Sequence, residues 1–276
     1  MSRFLRAARE LVANTKIMLD LSGKKALVTG IANNRSIAWG IAQQLHAAGA
    51  DLGVTFLPDE KGRFEKKVRD LVEPLHPSLI IPCNVQNDEQ IEETFQEVQK
   101  QWGNLDILIH CLAFANKEDL SGEFSATSRE GFTTALDIST YSLVRLAQAA
   151  KPLMADNGGS IVTLTYLGGV KVIPNYNVMG IAKAGLEMSV RYLAAELGEK
   201  NIRVNGISAG PIRTLASSAV GGILDMIHHV EDVAPLKRTV TQKEVGNTAA
   251  FLCSDLSSGI TGQVIYVDAG YEIMGM

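Results

Sequence analysis

From residue 25 onward, short apolar runs alternate with helix-patterned segments, and this alternation constrains the fold more than any other feature. Strands are expected at residues 25–30, 51–56, 79–82, 105–110, 160–165, 202–207 and 263–267. Helices are expected over 36–48, 60–72, 88–102, about 129–154, 175–198 and 244–253. The strand runs are near-continuous in apolar residues, so both faces of the sheet are covered. Crossover helices and their handedness then favour a Rossmann-type, doubly wound parallel sheet of about seven strands, with helices on both faces. No linker, repeat or low-complexity stretch divides the chain, and a single α/β domain over 19–276 is the economical reading.

Residues 1–18 differ from the rest. Arg3, Arg6 and Arg9 recur among Phe4, Leu5, Ala7, Ala8, Leu11 and Val12, as in a basic amphipathic helix. Such a segment is either an organelle-targeting sequence or a loosely held helix ahead of the domain. The second is preferred, since one targeting feature alone is weak. A cytoplasmic place is expected, or the plastid stroma if the extension is a targeting sequence. The apolar share of 46% is ample for a core, while the net charge of -4 with no basic stripe argues against nucleic acid as a partner. No apolar run approaches the ~20 residues that cross a bilayer. Cys83, Cys111 and Cys253 are odd in number and far apart, which fits a reducing compartment, and the histidines show no metal-ligand spacing.

The first strand ends at Gly30, and Ser36-Ile37-Ala38-Trp39-Gly40 opens the first helix. A glycine at this place lets backbone amides approach a pyrophosphate at a helix N-terminus, and Ser36 suits an N-cap. The intervening loop is longer and poorer in glycine than the three-glycine fingerprint, so its weight comes from its place in the first βα unit. After the second strand, Leu57-Pro58-Asp59-Glu60 offers two carboxylates and no immediate cation for a 2′-phosphate. NADH is favoured over NADPH on that ground, with Lys61 and Arg63 near enough to leave NADPH open. Asn84-Val85, after the third strand, reads equally as an adenine contact or an ordinary Asn turn.

Tyr176 and Lys183 lie seven residues apart in a segment where the pattern turns helical. Two helical turns would point a phenol and an ammonium the same way, roughly 10 Å apart along the axis. The phenol can donate to an oxygen that becomes anionic, and the lysine can hold a ribose beside it. Tyr166, just past the fifth strand, adds a second phenol. Two phenols and a lysine around a nucleotide pocket suggest hydride chemistry at an activated carbonyl or thioester.

At these positions the chain resembles the short-chain dehydrogenase/reductase superfamily. Within it, the similarity is to the NADH-dependent enoyl-acyl-carrier-protein reductases of bacterial and plastid fatty-acid synthesis. The resemblance covers nearly everything after residue 20. It rests on Ser36-Ile37-Ala38-Trp39-Gly40, Tyr166-Leu167-Gly168, Pro174-Asn175-Tyr176-Asn177-Val178-Met179-Gly180, Ala182-Lys183-Ala184, the Ser208-to-Ala216 run and Asp268-Ala269-Gly270. Most of the superfamily spaces tyrosine and lysine by four residues; here the lysine comes three residues later, as in the enoyl reductases. Thr163 stands thirteen residues before Tyr176, where the superfamily usually has serine. The resemblance implies that Tyr176 hydrogen-bonds the thioester oxygen, Lys183 binds the nicotinamide ribose and Tyr166 lines the acyl pocket. It further implies cofactor contacts at Gly30, Ser36, Ile37, Asn84, Val85, Leu112, Ile212, Arg213, Thr214, Leu215 and Ala216, and a substrate contact at Ala115. It also implies an acyl-carrier-protein substrate, a homotetramer, and a substrate lid at about 212–230.

Departures from the family pattern stand at Leu57, where glutamine is common, and at Cys111-Leu112-Ala113, where a Ser-Ile-Gly type sequence is common. The lid carries Gly221, Gly222, Leu224 and Asp225 where relatives often show basic residues, so Lys237 and Arg238 are the expected carrier-docking cations. Leu215, Val220, Ile223, Leu224, Met226 and Ile227 have ordinary core spacing, and Tyr141 and Tyr192 read as structural. The rival functions are a reductase of ketones or 3-oxoacyl thioesters and a catalytically silent nucleotide-binding subunit. The Tyr-to-Lys spacing and Tyr166 argue against the first, and the intact Tyr/Tyr/Lys set argues against the second.

Overall fold

The computed structural model describes residues 19–214, 217 and 221–275. The basic segment 1–18 and the expected cofactor contacts Leu215 and Ala216 therefore lie outside the described residues. The strands are β1 (Lys25–Val28), β2 (Asp51–Phe56), β3 (Leu79–Pro82), β4 (Ile107–His110), β5 (Gly159–Thr165), β6 (Ile202–Ala209) and β7 (Val264–Val267). They form one seven-stranded sheet in the order β3-β2-β1-β4-β5-β6-β7, and every pairing is parallel. The expected doubly wound sheet is what forms.

Eight α-helices cover it among the described residues: α1 (Ile37–Ala47), α2 (Arg63–Val72), α3 (Asp88–Trp102), α4 (Arg129–Leu136), α5 (Ser142–Met154), α6 (Asn177–Leu197), α7 (Ile223–Val233) and α8 (Gln242–Cys253). Successive strand residues point to opposite faces, so Ala26, Val28, Ile107 and Ile109 enter one core with α1, α2 and α8. Leu27, Leu108, Ile161 and Val204 enter the other with α3, α5 and α6. A third, smaller cluster of Ala115, Leu120, Ala135, Val178, Met179 and Ala182 lies past the strand ends, with Tyr176 and Met226 packed on it. No helix of the described residues is long and apolar enough to cross a membrane.

Two expectations need correction. The single helix over 129–154 is interrupted by a π turn at Asp137–Tyr141, between α4 and α5. The second helix starts at Arg63 rather than 60, because Asp59 accepts from Arg63 N (3.2 Å) and Phe64 N (2.9 Å) and sets the start there. Tyr141 and Tyr192 are 50% and 74% exposed.

Helix α8 helps fix the start of α1. Its Thr241 caps Glu244 N while the Glu244 carboxylate accepts from Thr241 N, a reciprocal capping box. The next residue, Gln242, donates through Nε2 to Ser36 O at 2.6 Å. Thr241→Ala is expected to lower global stability by about 1 kcal/mol, read as a shift in the urea-unfolding midpoint with unchanged m-value.

Candidate active site

All strands run parallel, so their C-terminal ends open onto one edge of the sheet, the edge where doubly wound folds bind ligands. The expected contacts Gly30, Ser36 and Ile37 follow β1. Asn84 and Val85 follow β3, Leu112 follows β4, and Ile212, Arg213 and Thr214 follow β6. The topology therefore brings these residues to one edge.

Gly30 has φ +89, and a Cβ there would run into the carbonyl oxygen of Cys111. Only glycine lets the β1 turn lie this close to the β4 turn. Thr29 ties the same two ends: its backbone N and its Oγ1 both donate to Ile109 O, and the Oγ1 accepts from Cys111 N at 3.3 Å. Ser36 holds the N-cap position of α1 but does not cap it. Its Oγ accepts instead from Ala32 N and Asn33 N, both at 3.1 Å, and winds the loop back on itself. The first-turn amides of α1 are thus left without a cap from Ser36, which is the arrangement an anion at a helix N-terminus requires. This bare helix start beside a side-chain-free Gly30 fits a pyrophosphate. Asn84 is committed locally, its Oδ1 accepting from Gln86 N at 3.1 Å as in an Asn turn. Asp59, one of the acids taken to favour NADH, is likewise spent on the start of α2.

Tyr176 does not lie inside the helix as its spacing from Lys183 suggests. It is the N-cap residue of α6, and its neighbours Asn175 and Asn177 have φ +60 and +36. Asparagine tolerates this left-handed region. Each is held by its side chain, Asn175 Nδ2 donating to Gly221 O and Asn177 Nδ2 to Gly122 O. The phenol is therefore aimed by a bent chain rather than by helical register. Its ring rests on Gly168, where any Cβ would strike it, and meets the Tyr166 ring edge-on at 5.1 Å and 68°. The Tyr166 hydroxyl donates to Met226 Sδ of α7 at 2.9 Å. Burial pushes both phenols well above their ordinary pKa. Tyr271 and Asp268 add to the shift for Tyr166, and Tyr166 and Glu187 add to it for Tyr176. Both stay protonated at neutral pH and can donate.

Lys183 is 5% exposed, and its Nζ donates to Leu164 O at 2.8 Å. Burial lowers its pKa to about 8, with Cys111 and Glu187 opposing the shift. Glu187, one turn further along α6, is buried, accepts from Thr165 Oγ1 at 2.8 Å, and is pushed up by burial. Ala115 is buried in the small cluster with Tyr176 and Met226, so the expected substrate contact lies beside both. Burial raises the Cys111 thiol to about 11, which disfavours the thiolate.

Thr163 does not face the site. It is fully buried on β5 and pairs with His110 of β4, Oγ1 to Nδ1 at 2.7 Å. Taken from Lys183, the superfamily's four- and thirteen-residue spacings lead back to Tyr166, so the second phenol stands at the usual serine's place. Four functional-edge residues escaped sequence reasoning: His110, Ser142, Glu187 and Met226. A histidine ending an apolar strand and the hydroxyl-rich run Ser139-Thr140-Tyr141-Ser142 inside a helix were the available signals. Met226 was read as ordinary core spacing, yet of the described residues in α7 only Val230 is buried. Among the described residues no cluster of His, Cys, Asp and Glu could hold a metal ion.

A family model described as Enoyl-(Acyl carrier protein) reductase matches residues 30–272. The chain belongs to the enoyl-acyl-carrier-protein reductase family. A Nostoc protein named enoyl-[acyl-carrier-protein] reductase [NADH] FabI is 80% identical over 259 residues, which is 94% of this chain and 100% of that protein. A Synechocystis protein of the same name is 77% identical over the same shares. Among solved enoyl reductases, that of Bacillus cereus with NADP+ and indole naphthyridinone superposes with a TM-score of 0.90 at 52% identity, covering 94% of this chain and 100% of that one. The enzyme of Anaplasma phagocytophilum in complex with NAD gives 0.89 at 45% identity, covering 94% and 97%.

The lowered pKa of Lys183 has a defined sign. An unfolded lysine titrates near 10.4, so between pH 8 and about 10.4 the unfolded chain holds a proton the folded chain has released. Stability contributed by this group rises with pH through that window. Denaturant melts without nucleotide should therefore show wild type gaining on Lys183→Met from pH 8 to 10. A difference that stays flat would contradict the assignment.

Proposed function

We propose that this chain reduces trans-2-enoyl thioesters carried on acyl carrier protein, using NADH, as the last reductive step of the type II fatty-acid elongation cycle. Two edge-packed phenols and a buried lysine at a nucleotide-binding sheet edge carry the reading, in a chain 80% identical to a named NADH enoyl reductase. NADH, when bound, supplies the hydride that reaches carbon 3 of the enoyl group. Electron density then moves onto the thioester oxygen. The Tyr176 hydroxyl, held protonated by burial, donates a hydrogen bond to that oxygen and stabilises the enolate. A proton added at carbon 2 completes the saturated acyl thioester. Lys183 has three donors, one of them on Leu164 O, and the others suit the hydroxyls of the nicotinamide ribose. Tyr166, Ala115 and Met226 line the acyl path. Gly30, Ser36 and Ile37 hold the pyrophosphate, and Asn84, Val85, Leu112, Ile212, Arg213 and Thr214 complete the cofactor edge. Leu57, exposed after β2, offers no cation to a 2′-phosphate, which supports NADH over NADPH.

For carrier docking, Arg238 is neutralised by Glu244 at 2.6 and 3.1 Å, which leaves Lys237 as the exposed cation of the expected pair. Self-association into a homotetramer is supported by exposed apolar side chains, Tyr141 at the end of the π turn and Met188 and Tyr192 on α6. Well-separated free cysteines support a reducing compartment such as the cytoplasm.

Tyr176→Phe should lower kcat on a crotonyl thioester by about 10²- to 10³-fold, with the NADH dissociation constant nearly unchanged; wild-type turnover in that variant would remove Tyr176 from the chemistry. Wild type should reduce crotonyl but not acetoacetyl thioesters, and the opposite preference would make it a 3-oxoacyl reductase. Sedimentation velocity should give a tetramer for wild type and smaller species for Tyr192→Glu; an unaltered tetramer would place the interface elsewhere.

A further inference from the structure

We propose that His110 is a positioning residue, which holds Lys183 in place through the π turn at Asp137–Tyr141. One tautomer of His110 satisfies every contact in the chain. Ser142 Oγ has one proton and donates it to Ile138 O at 2.6 Å. It must therefore accept from His110 Nε2–H, at 2.8 Å. His110 Nδ1 is then a lone pair, and Thr163 Oγ1 donates to it at 2.7 Å. His110, Ser142 and Thr163 are all fully buried, so none has water as an alternative partner. Burial, helped by the nearby Lys183 charge, drives the His110 pKa to about 3 and keeps the ring neutral.

The chain ends on a carbonyl of the π turn, where the widened ladder displaces backbone groups from the α-helical pattern. The same turn grips three other parts of the site. Ser139 Oγ accepts from Phe114 N at 3.0 Å and donates to Phe114 O at 3.1 Å, fixing the loop after β4. Asp137 accepts from Gln86 Nε2 at 3.0 Å, beside the loop after β3. Thr140 Oγ1 donates to Ala182 O at 2.7 Å, on the residue before Lys183. His110 thus joins β4 and β5 to a turn that holds α6 at the lysine. Its loss leaves the buried Thr163 hydroxyl without its acceptor and removes the Nε2–H donor to Ser142, which loosens the turn and with it the hold of Thr140 on Ala182.

The inference rests on the assignment of Lys183 to the nicotinamide ribose, so the test is a double-mutant cycle read by NADH fluorescence titration. His110→Leu should weaken NADH binding by about tenfold and kcat by less than about threefold, while adding almost nothing in a Lys183→Ala background. His110→Gln, whose amide can accept from Thr163 and donate to Ser142, should restore most of the affinity. A folded His110→Leu protein with wild-type NADH affinity would overturn the proposal, as would losses that simply add to those of Lys183→Ala. If His110→Leu does not fold, Thr140→Val carries the same test: it should weaken NADH binding about threefold, and this effect should vanish with Lys183→Ala. Unchanged affinity in Thr140→Val would overturn it equally. Wild-type NADH affinity in Lys183→Ala itself would instead overturn the ribose assignment beneath it.

Discussion

An ammonium group held almost wholly out of water is the constraint around which the site is organised. Burying a charge is costly unless it is partnered, and Lys183 is lowered to about 8 for that reason. One strand-end carbonyl, that of Leu164, faces it directly, and the Glu187 carboxyl opposes the shift from one turn along the helix. Both partners depend on α6 lying tightly against the end of β5. That contact is secured by Thr165 on Glu187 and, from the other side, by Thr140 on Ala182. The lysine is therefore fixed by its surroundings before any ligand arrives, which is the preorganisation that electrostatic catalysis requires.

Around this cation two phenols, a thiol and an imidazole are kept neutral. Burial raises the two phenols and the Cys111 thiol and lowers His110. The result is a set of neutral donors beside one buried cation. It also distinguishes the roles of the two tyrosines. Tyr176 is aimed by paired asparagines in left-handed conformation, while Tyr166 is tied to α7 through Met226.

Much of this was legible in the sequence. Apolar runs such as 51–56 and 202–207 mark buried parallel strands because both faces of the sheet exclude water, and crossover handedness favours a doubly wound sheet. The site residues after β1, β4, β5 and β6 could be placed at one edge for the same reason. What the sequence hid were the deviations from regular geometry. The π turn is invisible to helical periodicity, since the apolar spacing on either side continues. Tyr176 and Lys183 suggest a shared helix face, yet the positive φ values of Asn175 and Asn177 depend on tertiary partners at Gly221 and Gly122 that no local pattern reveals. Ser36 looks like a cap by residue type, but its hydroxyl is drawn to the loop behind it. Thr163 lies at the superfamily serine's distance from Tyr176, whereas the superfamily spacings counted back from Lys183 end on Tyr166.

The Tyr166 hydroxyl rests against a thioether. Sulfur of this kind is a feeble acceptor, so the proton is parked where little holds it. A carbonyl or carboxylate in the same spot would make any incoming oxygen break a strong bond before forming its own. With Met226 as its partner the Tyr166 hydroxyl is held only weakly, by a side chain that is itself flexible and apolar.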